Sequence, residues 1–209
     1  SRFLIALTAL MTPMRPPQVG AQTPLIFEST SSVPEIASVQ RSPEFAAAVL
    51  RIATTHSGHP KLELPLEFQR ICAHLSLWQS KSLPKLRIVS GTAFLGAQDV
   101  PLYLGISTHG LLILNPTPGD SLYPGLDRVA WNSFVSDVLP GLHVTDPVIA
   151  RELGCLVHSM WFIDPPSDAC GRGHPRVTEE ANGWRIVIWD ANFVLARAGT
   201  IDSMPGPGS

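Results

Sequence analysis

Four residues in a short span carry metal chemistry: Cys155, His158, Cys170 and His174. Thiolate and imidazole are natural zinc ligands, and four of them complete a tetrahedral structural site. Cys155 and His158 are three residues apart, so on a helix they share one stretch of surface. Cys170 and His174 bracket Gly171-Arg172-Gly173, a segment able to fold back toward that helix. The usual zinc signatures pair two cysteines closely, and this spacing matches none of them. The plain alternative is an inert buried cysteine with partly exposed histidines. The expectation is therefore no cofactor, with zinc on these four residues as the exception to examine.

A second candidate is Ser121. Gly119-Asp120-Ser121-Leu122 resembles the GDSL string of the SGNH-type hydrolases, which implies a serine nucleophile. That family also requires an Asp-x-x-His block near its end, and none follows here. Asp168 and His174 have five residues between them, and a serine without a placed base is only an alcohol. Arg151-Glu152-Leu153-Gly154-Cys155 has the outline of a zinc-peptidase HExxH helix, but Arg151 and Cys155 stand where both histidines belong. Triads are spatial, so any of the 3 cysteines could still pair with one of the 7 histidines. No catalytic residue is assigned.

The terminal tryptophans suggest contact rather than catalysis. Trp184 and Trp189 are an odd number of positions apart, so in one strand they point to opposite faces. One of them is then exposed or at an interface, where Arg185 with Trp189, or Trp184 with Ile186, makes the kind of surface that partners use; the equal alternative is that the domain's own helices cover both.

The elements that position these residues can be read from caps and periodicity. Ser42, Pro43 and Glu44 start a helix, with Phe45, Val49 and Ile52 at helical spacing. Phe68, Ile71, Leu75 and Trp78 predict a second helix over 66–80. Strands follow at 86–90, 100–107 and 110–114, the last two joined by a hairpin at Thr108-His109-Gly110. The segment 115–127 is a loop. A short helix spans 129–139, ended by Pro140-Gly141. Asp146 and Pro147 open the longest helix, with Ile149, Leu153, Leu156, Val157 and Met160 on one face and Pro165-Pro166 beyond it. Segments 176–180 and 184–189 flank Asn182-Gly183, a pair typical of type I′ hairpins. Residues 22–41 read as an extended connector with one strand.

Grouped helices and strands predict an α+β fold with a small, mainly antiparallel sheet and a C-terminal β-hairpin. The chain divides into an N-terminal extended and apolar segment (1–41), a single α+β globular domain (42–201) and a flexible tail (202–209). Arg2, the apolar run Phe3–Met11 and Val19-Gly20-Ala21 resemble a secretory signal, although three prolines lie between the run and the small residues. A short element packed on the domain or on a partner is the favoured reading of that run.

Composition bounds the function. The 209 residues are 44% hydrophobic and 15% charged, with a net charge of −2, so a core is affordable and attraction to nucleic acid is weak. The 20 prolines are scattered from Pro13 to Pro207 and punctuate elements rather than form a polyproline ligand. No apolar run is long enough to span a bilayer. The expectation is a non-catalytic structural or protein–protein interaction protein, a subunit of a larger assembly, with a protein partner or homo-oligomer and no nucleic acid. The alternative is a hydrolase with a serine or cysteine nucleophile, or a zinc-supported domain.

Overall fold

A computed structural model of the chain describes residues 26–29, 34–57, 75–95, 98–115, 125–163, 165–189 and 191–203. The order is β1 (Ile26–Ser29), α1 (Pro34–Gln40), α2 (Pro43–Ser57), β2 (Ser76–Ser80), β3 (Arg87–Leu95), β4 (Gln98–Ser107) and β5 (Gly110–Ile113). Then come α3 (Arg128–Val138), α4 (Pro147–Phe162), β6 (Arg176–Glu180), β7 (Gly183–Ile188), β8 (Ala191–Ala196) and β9 (Ile201–Ser203). Two antiparallel sheets result, each ordered as in the chain: β1 to β5, and β6 to β9. The fold is α+β, with two sheets where the sequence suggested one.

Helix starts follow their capping residues. The Ser42 hydroxyl accepts from the Phe45 N–H (3.1 Å), Asp127 from Ala130 (2.9 Å), and Asp146 from Val148 (2.7 Å). Each satisfies an amide that the helix itself leaves open. One expected helix is overturned in part. Residues 76–80 are strand β2, paired with β1 and β3, while residues 58–74 lie outside the described set. The misreading has a physical cause. Leu77 packs toward α1 and α2, and Trp78 packs toward α3 and α4. A strand covered on both faces loses its alternation. Residues 34–40, read as extended chain, form α1 instead, and Ile36 is fully buried against the sheet.

The β1–β5 sheet therefore carries a core on each side. Ile36, Phe45, Val49 and Ile52 meet Leu77, Val89, Leu102 and Leu104 on one face. On the other, Trp78, Ile88 and Tyr103 join α3, α4 and the inner face of the second sheet. Helix α4 lies at the centre of this larger core. Ala150 and every residue from Glu152 to Met160 are buried, a helix enclosed on all sides. Glu152 is fully buried with the rest. It accepts from both side-chain hydroxyls of the β2–β3 turn, Ser80 and Ser82, and from the Ser82 N–H (2.9 Å).

Helix α3 grips the C-terminal strand. Trp131 Nε1 donates to the Gly199 carbonyl (3.2 Å), Asn132 exchanges two hydrogen bonds with Ile201, and Arg128 donates to the Asp202 carbonyl (3.0 Å).

The β6–β7 turn differs from the expected Asn182-Gly183 pair. Glu180 pairs with Gly183, so Ala181 and Asn182 make the turn. Gly183 is a strand residue, required for close approach: a Cβ there would lie 2.0 Å from the Leu195 carbonyl oxygen. Because backbone cannot step aside as a flexible side chain does, Gly183→Ala is expected to cost about 2 kcal/mol. A denaturation midpoint equal to that of the parent protein would show that β8 can shift freely.

A candidate docking surface at the end of the buried helix

Of the four proposed zinc ligands, the fold brings Cys155 and Cys170 into bonding contact. Cys155 and Cys170 are joined as a disulfide, with Cα atoms 5.4 Å apart. Sulfurs bonded to each other do not ligate zinc as thiolates. Neither is free as a nucleophile in this state. Cys170 lies in a short π-helical turn, Asp168–Arg172, that packs along α4. His158 is one helical turn beyond Cys155 and is buried. His174 is exposed, just past the turn, with a left-handed backbone (φ 44°). Among the described residues, no three or more His, Cys, Asp and Glu side chains are placed to hold a metal ion. Ser121 and Cys72 lie outside the described residues, as does the apolar run 3–11.

The three residues expected to form a contact surface separate. Trp184 is buried, its Nε1 donating to the Val144 carbonyl (3.0 Å), and the Arg197 guanidinium lies 5.4 Å from its ring centre. Arg185 is tied to Glu180 (2.5 Å) and Asn192 (3.3 Å). Trp189 is open, 45% exposed, as is the side chain of Arg185 at 42%. It sits just past β7 rather than within it, in a left-handed conformation (φ 48°).

Around Trp189 a compact apolar surface is assembled by α4. Phe162, the last residue of the helix, and Ile163, its cap, are 43% and 48% exposed. The His158 ring lies 4.6 Å from that of Phe162, 5.0 Å from that of Trp189 and 5.9 Å from that of Phe193. His158 is thus the floor on which two exposed aromatic rings rest. No hydrogen bond reaches its Nδ1, and burial pushes its pKa down to about 4. The imidazole is neutral at pH 7 and behaves as one more aromatic ring.

Backbone strain gathers at the same place. Ile163 (φ 61°), His174 and Trp189 are the non-glycine residues with positive φ among those described. A β-branched or bulky side chain in this region is a genuine outlier, and such strain persists only where the surroundings over-determine it. The N–H of Trp189 donates to the Gly173 carbonyl (3.4 Å), next to His174.

One signal in the sequence pointed here. His158 and Phe162 are four apart and lie off the stripe formed by Ile149, Leu153, Leu156, Val157 and Met160. Two aromatic rings opposite the apolar face imply either a second layer or a contact surface; here His158 is covered by Phe193 and Trp189, and Phe162 is exposed.

No family model, curated protein or solved structure matches this chain. Its function has to be argued from its own geometry. Among the described residues, no helix is long and apolar enough to cross a membrane.

Proposed function

We propose that the protein is a non-catalytic interaction subunit that docks on another protein through Phe162, Ile163 and Trp189. The observation that carries this reading is that two large, exposed aromatic rings, Phe162 and Trp189, rest on one buried imidazole, with the exposed Ile163 next to Phe162 in the chain and both Ile163 and Trp189 in left-handed backbone. Exposed Trp and Phe are the side chains most used as anchors, filling a partner's pocket at little cost in conformational entropy. Water gains nothing from this arrangement, whereas an apolar pocket does.

The size of the patch argues for a different protein over a second copy. Half-exposed, these side chains offer roughly 300 Å², short of the ~800 Å² per partner of a stable interface. A knob of this size suits a pocket that supplies the remaining contact.

The test uses a photo-crosslinking residue at position 163 to capture the partner, followed by affinity measurements on the purified pair. The double variant F162A/W189A is expected to weaken binding by about 30-fold or more, equivalent to about 2 kcal/mol for an anchor pair. The control Val129→Ser, at an exposed apolar residue on α3, is expected to bind as the parent does. Equal affinity for F162A/W189A would sink the proposal. A dimer in sedimentation equilibrium that W189A dissociates would replace it with self-association.

A further inference from the structure

We infer that the Cys155–Cys170 disulfide is a redox control on this docking surface; the inference rests on the docking reading above. Trp189 has two supports, and the disulfide joins the elements that provide both. Its ring rests on His158, three residues after Cys155 on α4. Its backbone N–H bonds to Gly173, three residues after Cys170. Gly173 is itself seated tightly, since a Cβ there would lie 2.5 Å from the Ala169 carbonyl oxygen and 2.6 Å from Ile188 Cγ2. The covalent bond therefore sets the distance between the floor of the patch and the strand end that bears its tryptophan.

The other ties between the π-turn and α4 are noncovalent packing and hydrogen bonding. Arg151 donates to the Cys170 carbonyl (3.2 Å) and the Ala169 methyl is buried. The Arg172–Asp168 ion pair (2.8 Å) lies within the turn itself and links it to nothing else. His174 and Trp189 hold left-handed conformations on either side of the Gly173 contact. With the crosslink cut, both can relax toward ordinary backbone, which moves the indole off His158.

The chemistry requires a dithiol reductant. Cys170, 9% exposed against 0% for Cys155, is the less enclosed of the two residues. A reductant thiolate attacks Cys170 Sγ, forming a mixed disulfide while Cys155 leaves as thiolate and takes up a proton. The second thiol of the reductant then displaces Cys170, which is protonated in turn. Two electrons and two protons pass to the protein, and the reductant departs as its own disulfide.

Hydrogen exchange read by mass spectrometry tests this on the whole protein, with dithiothreitol as the reductant and alkylation to count thiols. Reduction should add two thiols and speed exchange in residues 165–175 and 186–189 about tenfold more than in β3 and β4. The variant C155S/C170S should show that pattern without reductant. Two added thiols with unchanged exchange, or with a uniform rise across both sheets, overturn the redox control. So does a protein whose Cys155 and Cys170 stay free after mild oxidation. These outcomes leave the docking reading intact, whereas unchanged affinity in F162A/W189A removes docking and leaves the exchange result standing.

Discussion

Between pH 7 and pH 4 the protein is expected to lose about 3 kcal/mol of stability through His158 alone. Burial among Phe162, Trp189 and Phe193 lowers its pKa from 6.5 to about 4 in the folded state. The unfolded chain takes up a proton near 6.5 while the folded protein resists until about 4. Throughout that window the unfolded state binds more protons, so stability rises with pH and falls on acidification. Above about 6.5 both states are neutral at this site, and the contribution is flat. The separation of the two pKa values corresponds to about 3 kcal/mol. His158→Leu, similar in volume and unable to titrate, isolates this contribution from that of the acidic side chains. Urea titrations at pH 7, 5.5 and 4 should show the parent losing about 3 kcal/mol more than the variant. Parallel pH dependences for the two proteins would mean that the imidazole is solvated in the folded state.

Replacing Glu152 with alanine is expected to cost a similar amount, about 3 kcal/mol, for a different reason. Its carboxylate is fully enclosed on α4 and accepts from Ser80 Oγ, Ser82 Oγ (2.7 Å) and Ser82 N (2.9 Å). Ser80 Oγ accepts in turn from the Leu83 N–H (3.0 Å). Truncation removes the acceptor for the buried Ser80 hydroxyl and for the hydroxyl and amide of Ser82, which is open to water. The abandoned Ser80 hydroxyl carries a desolvation cost, and a cavity is added beside a fully buried helix. Glu152→Gln keeps one acceptor oxygen and should lose about 1 kcal/mol, the worth of an ordinary hydrogen bond. If denaturant midpoints show alanine and glutamine variants equally stable, the β2–β3 turn is not anchored by this carboxylate.

Much of the helical frame was legible because local signals and tertiary packing agree. Ser42 and Asp146 cap the helices that follow them, and Pro140-Gly141 and Pro165-Pro166 end theirs, while the cap at Asp127 went unread. Legibility failed where burial on two sides erased the period, as at Leu77 and Trp78. It failed again where a residue type has more than one use. Gly183 reads as a turn glycine yet serves close strand contact, which depends on β8, eight residues further on. The cysteines fail in the same manner. Convergence of Cys155 and Cys170 was visible as a prospect, but spacing alone does not distinguish two sulfurs sharing a metal from two sulfurs bonded together. Of the residues in the proposed docking surface, the sequence marked one. Trp189 was singled out, while Trp184, expected beside it, is covered by Arg197 and bonded to Val144. Phe162 went unread because its pairing with His158 lies off the apolar stripe of α4, and Ile163 because it lies past the last residue of the helix.

The enclosure of α4 has a consequence for how the protein is made. A ribosome delivers the chain from the N-terminus, so β1 to β5 can close on α1 and α2 while later residues are still being added. Helix α4 has no such opportunity. The strands β6, β7 and β8 that pack on it come later in the chain, and Ile201 reaches Asn132 only once it has been joined as the 69th residue after it. In the interval a strongly apolar helix is formed but uncovered. A nascent chain stalled between residues 165 and 200 should be the species that chaperones hold longest and proteases find most readily.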